Sequence, residues 1–88
     1  MSEVDILENI LKYQGFIFEE ELTNISETNI LIYYRKGKIS DKRLKASIYF
    51  NRKTENVTTF QLSIFSNIEN SWKITDNLRS RWAQFVKI

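Results

Sequence analysis

The densest set of potentially reactive groups is the run Glu19-Glu20-Glu21. Paired carboxylates can bind a cation or divide acid–base work between them. Neighbouring residues on a strand point to opposite sides, so a regular strand puts Glu19 and Glu21 together and turns Glu20 inward. Two carboxylates with no Asp or His near them in sequence make a weak metal site. The chain contains neither His nor Cys, which removes the usual general base, the thiolate nucleophile and the zinc-thiolate site. No nucleophile, base and orienting group stand at a recognised spacing. The expectation is a protein without catalytic residues, metal or cofactor, hence not an enzyme.

Two further groups suit binding rather than chemistry. Residues 35–45 hold six bases, Arg35, Lys36, Lys38, Lys42, Arg43 and Lys45, against one acid, Asp41. Such a basic hairpin can meet phosphates or an acidic protein surface, and Lys-rich turns also keep exposed sheet edges from pairing. Near the C-terminus Trp72, Lys73, Arg79, Arg81, Trp82 and Lys87 interleave aromatic and basic residues. Trp82 falls on an apolar helical stripe and reads as core. Trp72 has no periodic partner and reads as an exposed contact.

Ser2 followed by Asp5 is a capping pair. Val4, Leu7, Ile10 and Leu11 then recur at helical spacing as far as Gly15, which predicts a helix over residues 2–14. Period-two alternation follows in four runs, residues 16–22, 30–36, 44–50 and 57–65, separated by polar turns. Residues 71–74 read as a short strand or a connection. From Thr75 the spacing of Leu78, Trp82 and Phe85 predicts a second helix. The fold class expected is α+β in two layers: an N-terminal helix, a four-stranded antiparallel meander and a C-terminal helix, forming one domain over residues 1–88.

With both helices on one side, that side takes Phe18, Ile30, Ile32, Ile48, Phe50, Phe60, Leu62 and Ile64. The open side then shows Glu19, Glu21, Tyr33, Arg35, Lys45, Ser47, Tyr49, Gln61 and Ser63, with Arg35 near Lys45 and Tyr33 near Ser47. A sheet face of Tyr33, Arg35, Lys45 and Tyr49 has the chemistry on which single-stranded nucleic acid stacks, although tyrosines on strands also reflect plain β-propensity.

Charge is split along the chain. Residues 1–28 hold seven acids and one base, a net of −6, and residues 29–88 hold twelve bases and four acids, a net of +8, giving the total of +2. Glu3, Asp5 and Glu8 have a local reason, since the helix dipole favours acids in the first turns. With no apolar run of membrane-spanning length and no leader-like start, the expected place is the cytoplasm. The leading expectation is a small protein-binding module that acts by occupying a surface, as inhibitors, immunity proteins and the anti-defence proteins of phages and mobile elements do. Its contacts would be Glu19, Glu21, Glu27, Arg35, Lys36, Lys38, Lys42, Arg43 and Trp72. The alternatives are a nucleic-acid-binding domain using the aromatic and basic sheet face, and a homodimer paired through an open face or edge.

Overall fold

The computed structural model describes residues 2–23, 26–36 and 43–78. One helix, α1 (Glu3–Tyr13), precedes five strands: β1 (Ile17–Thr23), β2 (Thr28–Lys36), β3 (Arg43–Asn51), β4 (Val57–Ser66) and β5 (Ser71–Asn77). The strands form one antiparallel sheet in the order of the sequence, β1-β2-β3-β4-β5.

The helix begins where its capping pair demands. The Ser2 hydroxyl accepts the Asp5 N–H at 3.1 Å, and the Asp5 carboxylate accepts the Ser2 N–H at 3.4 Å, so two otherwise orphaned donors are satisfied. It ends at Gln14, after which Gly15 takes φ +91°, a left-handed conformation that a side chain would strain. Val4, Leu7 and Leu11 face inward and pack on Leu31, Tyr33, Ala46, Ile48, Phe50, Val57 and Phe60.

Class and helix match the sequence reading, whereas the strand count and the second helix do not. Ser71–Asn77 forms a full fifth strand, so no helix starts at Thr75. The β-formers Trp72, Ile74 and Thr75 find a free β4 edge, and ladder bonds outweigh a helix cap. The remainder of the expected helix, with Arg79, Arg81, Trp82, Phe85 and Lys87, lies outside the described residues, as does most of the basic hairpin, residues 37–42.

The faces of the sheet also require correction at β2. Register pairs Leu31 with Ile48, Tyr33 with Ala46 and Arg35 with Leu44, so Leu31, Tyr33 and Arg35 lie on the helix-covered side. Ile30, Ile32 and Tyr34 lie on the opposite side, called open because no described element covers it, where Tyr34 pairs with Lys45 and Ile32 with Ser47. The strand sits one residue out of phase with the expectation, and that reverses every side chain on it.

Three register shifts set the remaining parities. Phe18 pairs with Tyr33 and Glu20 with Ile32, leaving Glu19 as an extra residue in β1. Thr58 is extra between Val57 and Thr59, and Thr75 between Ile74 and Asp76. Each threonine fills the gap with its hydroxyl: Thr58 donates to the Tyr49 carbonyl and Thr75 to the Leu62 carbonyl, both at 3.1 Å. A side chain thereby stands in for the disrupted ladder.

Candidate functional site on the open sheet face

A half-solvated antiparallel sheet ordinarily turns polar residues to water. This one does not. Register carries a row across all five strands, Ile17–Tyr34–Lys45–Ser63–Ile74, and beside it the pair Phe65–Trp72. Ile17 and Ile74 are 73% and 56% exposed, and Leu22 and Ile30 extend the apolar surface along β1 and β2. Ile32 is only 7% exposed although it lies away from the helix and outside the main core cluster.

Aromatic residues form the centre of this face. The rings of Tyr34 and Trp72 lie 5.5 Å apart with a 31° tilt, and Phe65 meets Trp72 edge-on at 5.3 Å. Cations cover them: the Lys45 ammonium stands 4.9 Å from the Trp72 centroid and the Arg43 guanidinium 4.7 Å from that of Phe65. Tyr34 titrates above the usual tyrosine range because burial, and then the carboxylates of Glu20 and Glu19, disfavour its anion.

A cleft of about 810 Å³ opens at this end of the sheet, lined by Gly15, Ile17, Glu19, Tyr34, Arg35, Arg43 and Trp72. It runs from the aromatic cluster to the C-terminal turn of α1. There the Arg35 guanidinium lies 4.9 Å from the Phe16 ring centroid and donates from Nη1 to the Gln14 carbonyl at 3.1 Å. The Arg35 Nε–H is buried without an acceptor.

Of the expected protein contacts, the cleft gathers Glu19, Arg35, Arg43 and Trp72. Glu21 is not beside Glu19: the extra residue turns it to the helix side, where it accepts from Asn29 Nδ2 at 2.5 Å. Glu20, expected to face inward, stands opposite Ile32 on the open side. Glu27 is at the other end of β2, paired with Lys53 at 2.8 Å. Lys36 closes the β2 ladder opposite Arg43, while Lys38 and Lys42 fall outside the described residues.

Of the residues expected to meet nucleic acid, Lys45 and Tyr49 are on the open face, where the Tyr49 hydroxyl donates to Gln61 Oε1 at 3.2 Å. Tyr33 and Arg35 belong to the covered side. Tyr33 is 1% exposed, touches Phe18 edge-on at 5.5 Å and donates its hydroxyl to Glu8 Oε1 at 2.5 Å. Burial and the Glu8 carboxylate raise its pKa far above the ordinary value. Tyr34, Phe65 and Ile17 were missed as contacts. For Tyr34 the signal lies in the apolar character of both phases of β2, which leaves the choice of phase open.

Among the described residues no group of three or more acidic side chains is placed to hold a metal ion, and no helix is long and apolar enough to cross a membrane. No protein-family model, curated protein or solved structure matches this chain.

Proposed function

We propose that this chain is a non-enzymatic protein-binding module that docks through the open face of its sheet. The observation that carries the reading is the Tyr34–Trp72–Phe65 cluster with exposed Ile17 and Ile74 beside it, on the side of the sheet away from α1. Aromatic residues and arginine are the types that dominate binding energy at protein interfaces, and contiguous exposed apolar surface marks such sites.

A nucleic-acid reading draws on the same rings and cations, yet the arrangement suits it less. The 5.5 Å separation of Tyr34 and Trp72 admits no base between them, since a stacked base needs about 3.5 Å on each side. Lys45 and Arg43 already cover ring faces that bases would use. Glu19 and Glu20 stand at the same edge and repel phosphate.

The test is affinity capture with the wild-type chain, Trp72→Ala and Lys12→Gln, a control on the exposed side of α1. A stoichiometric protein should be recovered by the wild type and the control and lost with Trp72→Ala, at a cost of about 2 kcal/mol or more in a direct titration. Equal recovery by all three would remove the open face from the reading.

A further inference from the structure

Among the described residues two cations meet carboxylates, Lys53 with Glu27 at 2.8 Å and Lys73 with Glu69 at 2.6 Å, while Arg52 donates to the neutral Ser26 carbonyl. The three at or beside the cleft meet none of the described carboxylates. Arg35 donates to a neutral carbonyl and lies over Phe16, while Arg43 rests on Phe65 and Lys45 on Trp72. Glu19 lines the same cleft but forms no ion pair with either arginine. Where water reaches these groups the imbalance costs little; the Arg35 Nε–H is already buried without an acceptor. A partner that displaces the water must supply acceptors, because a buried charge left unpaired is strongly unfavourable.

Resting on the reading that this face docks a protein, we propose that the occupant of the cleft is an acidic segment of the partner. Its carboxylates meet Arg43 and Arg35, and an apolar or aromatic side chain packs on Ile17, Tyr34 and Trp72. Arginine suits the role because its planar fork can hold a carboxylate through two parallel hydrogen bonds. The cation–ring contacts of Arg43 and Arg35 hold both guanidiniums near the cleft before binding, which reduces the ordering the complex requires. Specificity follows from Glu19: one carboxylate at the wall admits a segment with spaced acids and opposes a dense polyanion.

The probe is a capped eight-residue peptide of alternating Glu and Phe, titrated into the labelled protein and followed by NMR. Matched peptides alternating Lys with Phe and Gln with Phe, and an oligothymidylate, serve as comparisons. The Glu peptide should shift the Trp72 indole N–H and the Arg43 Nε–H saturably, and Arg43→Gln should weaken it about tenfold, equivalent to ~1.4 kcal/mol. Arg35→Gln should act in the same direction. Arg43→Gln is the decisive variant, because no side-chain hydrogen bond joins Arg43 to another described residue, and an unchanged melting midpoint verifies that the fold is kept.

Equal binding of the Gln or Lys peptide, preference for oligothymidylate, or no saturable shift would each overturn the proposal. So would light scattering showing a dimer whose formation by itself moves the Trp72 and Arg43 signals. Capture of a protein that depends on Trp72 but not on Arg43 would leave the docking function standing and reject only the acidic segment.

Discussion

Tyr33 and Tyr34 are adjacent in sequence and lie on opposite sides of one sheet. Tyr33 is sealed under α1, edge-on to Phe18 and hydrogen-bonded to Glu8. Tyr34 is half-buried at a cleft, against Trp72 and facing Glu19 and Glu20. The same side chain is used for cohesion on one side and for presentation on the other. What separates them is which face the helix covers, and no intrinsic property of tyrosine would reveal it.

That contrast can be broken by mutation. The largest effect belongs to the covered side: Phe60→Ala removes a fully buried ring from the core and should cost about 3–5 kcal/mol in denaturant unfolding. A much smaller loss would mean that the helix does not seal this face.

Next is Tyr33→Phe, which deletes a hydrogen bond to a carboxylate and should cost roughly 1.5–3 kcal/mol near neutral pH. It should also alter the pH dependence. The folded protein holds the Tyr33 proton more tightly than the unfolded chain does, so the unfolded state binds fewer protons once pH exceeds the ordinary tyrosine value of about 10. The stability contributed is whole below that pH and declines as pH rises above it. The wild type should therefore lose stability in this window faster than Tyr33→Phe; parallel curves would contradict the burial assigned to Tyr33.

The smallest effect belongs to the open side. Ile17→Ser should change stability by no more than about 0.5 kcal/mol, and a loss as large as that of Tyr33→Phe would make this face part of the core.

Legibility of the fold varied with how unequal the two sides of each element are. The helix could be read because Ser2, Asp5 and Gly15 mark its ends and Val4, Leu7 and Leu11 its inner stripe. Strands β3 and β4 could be read because Leu44, Ala46, Ile48 and Phe50, and then Phe60, Leu62 and Ile64, face Lys, Ser and Gln across the backbone. In β2 both phases are apolar, Ile30, Ile32 and Tyr34 against Leu31 and Tyr33, so alternation holds no information about which side is covered. Packing of Tyr33 and Leu31 under α1 decides it. In β1 three identical glutamates conceal the extra residue, and with it the separation of Glu19 from Glu21. Arg43 and Trp72 are legible as candidates from residue type alone, whereas the alternation of β2 does not tell Tyr34 from the buried Tyr33.

The extra residues at Glu19, Thr58 and Thr75 also bear on how this chain can change its length. Each lies where the sheet already counts two residues against one, so removing it would leave the neighbouring pairs on their present sides. Across β2 and β3 nine successive pairs run from Thr28–Asn51 to Lys36–Arg43 without such slack, and a single deletion there would exchange the two faces for the rest of the strand. Insertions and deletions in related sequences should therefore collect in β1, β4 and β5, while the central hairpin diverges by substitution alone.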